Sequence, residues 1–256
     1  MSTALPALLL ETFVERRDVK AVQRANGAYN PILSPLTVAD VAAHVEGTAT
    51  YGYYVVAPGD TTRVIAFDID LSKSGTWMPL DEDCEDPESP RACNPRELWP
   101  TGGSAAVPYF TSQLRCVAEA LAGRTKKLLE VPVAVAFSGS KGLHVYGLLG
   151  ESIDAGEARD LAHLVLDSFV NPSGESHFLP VDGKPSFRSR HHDNYEIEVF
   201  PKQSSLEGKN FGNLLRLPLG INRKSRLRGF FVDLAQPLDQ LVEIDPVRVL
   251  TEGAQW

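Results

Sequence analysis

The chain has 256 residues, 43% of them hydrophobic, with 33 acidic against 25 basic side chains and a formal net charge of −8. Its apolar content suffices for the core of one large domain or two small ones, and no run approaches the length of a membrane span. Residues 4–10 form a short apolar run that lacks a basic lead-in and contains Pro6, which argues against a signal peptide. Three cysteines (Cys84, Cys93 and Cys116) without a CxxC or CxxH partner argue against a disulfide framework and for a reducing, cytoplasmic setting.

The charge is unevenly spread. Six acids crowd residues 81–88, whereas residues 184–228 carry ten lysines and arginines against four acids. A locally basic segment on an acidic chain is compatible with a nucleic-acid partner, which the overall charge alone would not suggest.

In chain order, residues 5–23 read as a first helix. Pro31 and Pro35 break the chain, and Thr37 is the expected N-cap of a short helix over 38–45. Residues 51–57 and 63–71 read as strands joined by a Pro58-Gly59-Asp60 turn. Residues 72–107 are rich in Pro, Gly, Ser and acid without a period, and read as a long surface excursion. A helix over 108–129 precedes two strands, 131–137 and 144–149. Another helix spans 154–169 with Leu161, Leu164, Val165 and Phe169 on one face, and 171–193 reads as loop. A strand over 195–200 stops at Pro201, and a short apolar segment, 213–219, surrounds Arg216. The basic loop 222–228 follows, and the tail beyond 236 is weak helix or coil. No linker divides the chain, so a single domain over 1–256 is expected.

Two stretches carry the chemistry. In Ser138-Gly139-Ser140-Lys141-Gly142-Leu143-His144, between strands, glycines allow close backbone approach and consecutive N–H groups form an anion-binding nest. Lys141 adds a cation and His144 an imidazole, so the turn suits an oligophosphate. In Val64-Ile65-Ala66-Phe67-Asp68-Ile69-Asp70, strand alternation puts both carboxylates on one face and Phe67 and Ile69 on the other. Two such carboxylates repel unless a cation or a proton intervenes, and hard oxygens at this spacing suit Mg²⁺ or Mn²⁺. Taken alone, a DxD strand is more often a pair of solvated acids. On a later strand Glu196 and Glu198 alternate in the same way, and either could supply a third ligand to a metal pair.

The order of these parts is more specific than any one of them: DxD strand, helix, SGSKGLH turn, helix, acidic strand ending in Phe200-Pro201-Lys202-Gln203, then Asn213-Leu214-Leu215-Arg216-Leu217-Pro218-Leu219-Gly220 and a basic loop. Over residues 29–235 it resembles the catalytic domain of the archaeo-eukaryotic primase superfamily, and within it the bacterial and phage primase-polymerases and the primase modules of conflict systems. The SGSKGLHVY turn is also similar to that of the polymerase domain of bacterial end-joining ligases.

The resemblance implies an α+β fold, with an N-terminal α/β module joined to an RRM-like antiparallel sheet module and a cleft between them. It implies a DNA primase-polymerase of DNA replication that makes and extends primers on single-stranded DNA from nucleoside triphosphates. Any helicase would then be a separate protein. Asp68, Asp70 and Glu198 fall on the metal ligands for Mg²⁺ or Mn²⁺. Ser138, Ser140, Lys141, His144, Arg216 and Lys224 fall near the incoming triphosphate, and Arg223, Arg226 and Arg228 are expected to touch nucleic acid. The third acid is Glu where many relatives have Asp, and no zinc-binding Cys/His cluster is recognisable. Two alternatives stay open: a gap-filling or end-joining polymerase that cannot start chains, and a non-catalytic nucleic-acid-binding domain.

Overall fold

A computed structural model describes residues 4–77, 91–99 and 105–252. Helix α1 (Ala4–Phe13) leads into β1 (Lys20–Gln23) and β2 (Tyr29–Ile32), then α2 (Val38–Glu46), β3 (Tyr51–Tyr54) and the long β4 (Thr61–Leu71). A small hairpin of β5 (Gly75–Trp77) and β6 (Arg91–Cys93) and a single turn of helix, α3 (Pro95–Leu98), precede α4 (Ala106–Leu129). Then come β7 (Val133–Phe137), β8 (Gly142–Asp154), α5 (Ala155–Asp167), β9 (Phe178–Pro180), β10 (Ser186–Ser189) and β11 (Tyr195–Phe200). The chain ends with β12 (Leu214–Arg216), β13 (Phe230–Phe231) and α6 (Pro246–Glu252).

Two antiparallel sheets organise these elements. The larger runs β13-β7-β8-β4-β11-β10-β9 and the smaller β12-β3-β1-β2. One face of the larger sheet is closed by α4 and α5 over a continuous apolar core that includes Ile65, Phe67, Ile69 and Leu71 of β4. Those four side chains are fully buried. At about 1.5–3 kcal/mol each, they fix the register of β4, because a slip by one residue would carry all four to the opposite face.

That opposite face is covered only in part. Val64 and Ala66 of β4 pack with α1, β3 and β12 in a second apolar cluster. The next two side chains on the same face are Asp68 and Asp70, both partly exposed, so the carboxylates emerge where the cover of the second module ends. The architecture is therefore a mixed α/β fold with antiparallel sheets, as the sequence led one to expect.

Several local expectations are corrected. The first helix stops at Phe13, and residues 20–23 form β1, whose burial alternates with period two. Pro31 does not break the chain there: it sits in β2, an edge strand, where a missing N–H is tolerated. The segments 51–57 and 63–71 do not form one hairpin. β3 and β4 lie in different sheets, with the isolated Ala57–Thr61 bridge closing the turn between them, so the Pro58–Asp60 turn carries the chain between modules. On α5 the buried residues include Ala158, Ala162, Val165 and Leu166, while Leu164 is 52% exposed.

The stretch 171–193 holds two short strands, β9 and β10, extending the sheet edge. The 72–107 excursion is tied to the core by Trp99, which is buried edge-on to Phe137 and donates Nε1–H to Thr111 Oγ1 at 2.8 Å. The acids of residues 81–88, with Cys84, lie outside the described residues. Thr37 caps α2 as expected, in a reciprocal box with Asp40.

Candidate active site

The site begins with cross-strand pairing. On β4, Asp68 faces His144 of β8 on one side and Glu198 of β11 on the other; Asp70 likewise faces Gly142 and Glu196. Directly opposed residues in an antiparallel pair share a face, so the register alone gathers two aspartates, two glutamates and a histidine on one side of the sheet. Gly142 is required where it stands, because a Cβ there would lie 2.8 Å from Asp70 Oδ1 and closer still to the Ile69 carbonyl. Its lack of a side chain makes room for the Asp70 carboxylate.

The two aspartates titrate in opposite directions. Burial and the neighbouring Asp68 charge push Asp70 up to about 6, against the pull of Lys141, whose ammonium is ion-paired with it. Burial also pushes Asp68 up, but the adjacent His144, together with Lys141 and Arg216, outweighs it and holds the carboxyl below its ordinary value. His144 Nε2 lies 3.3 Å from Asp68 Oδ1 without hydrogen-bond geometry, and that buried oxygen has no hydrogen-bond partner among the described residues.

Across from the acids lies the turn between β7 and β8. Ser138 closes it: its N–H donates to the Gly142 carbonyl at 3.0 Å, and its Oγ accepts from Gly142 N–H at 3.2 Å. Gly139 has a φ of 67°, and a Cβ on it would meet the Leu227 carbonyl at 2.8 Å, so the turn lies flat against the 227–229 backbone. Ser225 Oγ donates to the Gly139 carbonyl and ties the basic loop to the turn. The N–H groups of Gly139, Ser140 and Lys141 have no acceptor among the described residues, which leaves a run of consecutive donors in the turn. Ser138, Ser140, Lys141, His144 and Arg216 line one cleft with Asp68 and Asp70. Among the described residues the Arg216 guanidinium has no hydrogen bond or ion pair, yet its charge reaches Asp68.

Not every expected residue arrives there. Glu198 is in register with Asp68, but its carboxylate is turned onto Lys202 Nζ at 2.6 Å. Glu196 is held by Lys184 Nζ at 2.8 Å and by Ser186 Oγ at 3.3 Å, and the Lys184 bond keeps it below the ordinary carboxylate range. Lys224 is not on the cleft: its stem packs at Gly27, whose added Cβ would lie 3.3 Å from Lys224 Cδ. Arg228 is exposed but engaged, its guanidinium donating to the carbonyls of Val45 at 2.5 Å, Leu219 at 3.0 Å and Glu46 at 3.4 Å. It caps the C-terminal end of α2, where a cation is favoured, and is spent on the fold. Arg223 and Arg226 line a separate shallow cleft beside Gln23 and Thr50.

Several residues escaped the sequence reading, Tyr146 behind the cleft and others, Gln23 among them, in its lining. Tyr146 is buried two positions beyond His144 on the same face, with its hydroxyl 2.7 Å from His144 Nδ1. With the hydroxyl donating to Nδ1, the ring proton sits on Nε2, towards Asp68. The His-x-Tyr alternation in a strand was the signal for it. Tyr29 and Asn222 also line the cleft but come from β2 and the basic loop, and nothing local in the sequence marks them.

The donor chemistry fits a hard divalent cation: two neighbouring carboxylates, one with an orphaned oxygen and the other raised to about 6 by burial and its neighbour's charge. No group of three or more His, Cys, Asp or Glu side chains closes into a ready metal shell among the described residues.

Two packed antiparallel sheets thus set paired carboxylates opposite a phosphate-suited turn. Residues 9–252 match the family described as "TOTE conflict system, Archaeo-Eukaryotic Primase domain". The chain belongs to this family of archaeo-eukaryotic primase domains, whose substrates are nucleotides and nucleic acid. No curated protein matches the chain at a significant level. No helix among the described residues is long and apolar enough to cross a membrane.

Proposed function

We propose that the chain is a primase-polymerase that catalyses template-directed nucleotidyl transfer on single-stranded DNA. The observation that carries this reading is the Asp68–Asp70 pair, carrying charge it cannot neutralise alone, set in one cleft with the 139–141 turn, whose N–H groups have no acceptor among the described residues, and with Arg216, unpaired among them.

Asp68 and Asp70 would hold Mg²⁺ or Mn²⁺, with Glu198 joining once it releases Lys202. The metal would supply charge stabilisation for the attacking 3′-oxygen and the departing pyrophosphate. The 139–141 N–H groups, Lys141 and Arg216 bind the triphosphate and neutralise the charge that grows on pyrophosphate as the bond to the α-phosphorus breaks. Tyr146 fixes the His144 ring, so that Nε2–H is presented to the cleft and not turned into the core. Arg223 and Arg226, on the outer side of the basic loop, would grip the template. A helicase, where needed, would be a separate protein.

Incubation with circular single-stranded DNA, labelled nucleotides and each metal in turn tests this. The expected result is short primers, and extension of annealed primers, both abolished in Asp68→Asn. Extension without any product on unprimed templates would replace priming by gap filling. No metal-dependent incorporation at all would leave a nucleic-acid-binding domain with structural acids.

A further inference from the structure

A pocket of about 180 Å³ lies between α5 and the β10–β11 hairpin. Its floor is apolar, made of Phe187 on β10, Val199 on β11 and three prolines. Val199 belongs to the core that α4 and α5 close, and the Phe187 ring meets the His163 ring of α5 edge-on, 5.5 Å between centres. Strand alternation puts Glu196 and Glu198 on the other face of the same hairpin. Arg159 and His163, one turn apart on α5, join Lys184 and Lys202 around the floor, and no acid is in the lining. On a chain whose net charge is −8, that is a concentrated local excess of positive charge.

The state of these groups favours an anionic ligand. Arg159 is exposed and has no hydrogen bond or ion pair among the described residues. Burial, and then the Arg159 charge beside it, lowers His163 below its ordinary value, so an anion set between the two relieves a repulsion. The lysines are engaged on the opposite side of the hairpin: Lys184 Nζ lies 2.8 Å from Glu196 and Lys202 Nζ 2.6 Å from Glu198. Lys202 thus borders the pocket while holding the carboxylate that would complete the metal site. Neither pair is sealed from water, with Glu196 31% and Glu198 39% exposed, and such pairs contribute little. An anion in the pocket competes with Glu198 for the same ammonium group.

Size and lining define the ligand. A cavity of about 150 Å³ takes one benzene ring, so this pocket holds a single ring on its apolar floor and little more. Three cations and an imidazole around that floor match a doubly charged head group, and a guanidinium engages phosphate oxygens in pairs. Resting on the nucleotidyl-transfer reading above for its link to the metal, we infer that the pocket is a regulatory site for a small organic phosphate. Its ring lies on Phe187 and Val199 and its phosphoryl group on Arg159, His163, Lys184 and Lys202. Binding draws Lys202 away from Glu198 and leaves that carboxylate free for the divalent ion. The coupling is reciprocal, since a metal that takes Glu198 releases Lys202 to the pocket.

The test uses the full chain, without nucleotide or DNA, and phenyl phosphate as the probe, with inorganic phosphate and phenol as its two halves. Titration calorimetry without metal should show phenyl phosphate binding more tightly than inorganic phosphate, and phenol not at all. Arg159→Gln/His163→Gln should weaken phenyl phosphate by about tenfold or more, whereas Arg216→Ala, at the phosphate turn, should keep it; Arg159→Gln alone, at an exposed position, should show a smaller loss in the same direction. Saturating phenyl phosphate should then tighten Mn²⁺ binding by about fivefold or more, and Mn²⁺ should tighten phenyl phosphate by the same factor. The α5 double variant and Lys202→Gln should both lose this coupling, which separates it from phenyl phosphate held directly by Mn²⁺. Equal affinity in the wild type and the α5 variants, or loss in Arg216→Ala instead, would overturn the site. Inorganic phosphate binding as tightly as phenyl phosphate would overturn the organic ligand, and Mn²⁺ binding unmoved by phenyl phosphate would overturn the link to Glu198. If the wild type binds no Mn²⁺ at all, the nucleotidyl-transfer reading fails and takes the coupling with it, while phenyl phosphate binding lost in the α5 variants would still uphold the pocket.

Discussion

Replacing Asp70 by Asn should stabilise the metal-free protein while abolishing catalysis, and the structure sets the size of the gain. Burial and the Asp68 charge raise this carboxyl from 3.8 to about 6. A raised folded-state pKa contributes stability that is fully present below pH 3.8 and is lost as pH rises through about 6, since the folded chain then binds the extra proton less. At 1.36 kcal/mol per pH unit, the loss amounts to about 3 kcal/mol above pH 7.

Asp70 is 22% exposed and Lys141 loses its partner in the variant, so a net gain of about 1–2 kcal/mol is expected, or a rise in Tm of roughly 2–8 °C. Calorimetry of both proteins at pH 4, 6 and 8, with and without Mn²⁺, separates the contributions. The variant should gain at pH 8 and not at pH 4. Only the wild type should be strongly stabilised by metal, by about 2.7 kcal/mol at a hundredfold excess over Kd. A variant that is less stable at pH 8 without metal, or that responds to Mn²⁺ as the wild type does, would refute the reasoning.

Glu198→Gln should suppress incorporation far more than Glu196→Gln, because Lys202 can leave Glu198 for solvent whereas Glu196 is engaged by Lys184 and Ser186; steady-state incorporation rates decide, and the reverse order would move the third ligand to Glu196. His44 is fully buried, with Nε2 3.0 Å from the carbonyls of both Leu217 and Pro218 and Nδ1 accepting from Tyr51 N–H. Burial lowers it from 6.5 to about 4, so stability should fall by about 3 kcal/mol as pH drops from 6.5 through 4. Denaturant midpoints across that range in His44→Gln should show a smaller acid loss. Lys141→Gln should weaken nucleotide binding in Mn²⁺ by about tenfold, read by titration with a nucleoside triphosphate bridged by an α,β-methylene group, which binds without reacting, while leaving Mn²⁺ binding unchanged or tighter.

The sequence displayed those parts of the site that strand alternation and turn chemistry encode locally. Asp68 and Asp70 on one face, the 138–144 turn and Thr37 at the start of α2 all follow from residues within one element. Errors arose where the partner decided. Residues 20–23 continue an apolar pattern that a helix would also satisfy, and only pairing with β2 and β3 makes them a strand. The short strands β9 and β10 are stabilised by a sheet edge supplied by β11, which no local propensity announces. Arg228 looked like its basic neighbours because its acceptors are the carbonyls of Val45 and Glu46, more than 180 residues away. Tyr29 entered the cleft by the same long-range route, from a module that packs over β4 and ends just short of its acids.

One arrangement links these observations to function. Three acids in the row hold a cation of the protein's own, Lys141 on Asp70, Lys202 on Glu198 and Lys184 on Glu196, and the His144 imidazole stands beside the fourth, Asp68. Without them, four carboxylates on adjacent strands would repel strongly enough to threaten the register that the buried face of β4 enforces. Lys141 stands on a flexible stem at the phosphate turn, so a divalent ion that takes over the carboxylates releases it to a new partner. A lysine freed from Asp70 is already at the phosphate turn and loses little entropy in changing partner. Metal and triphosphate binding then reinforce each other, because each removes a charge that the other would have to face alone. Loss of Lys141 should therefore weaken the nucleotide more than the metal, and that asymmetry separates a working cation exchange from a salt bridge that only holds the strand in place.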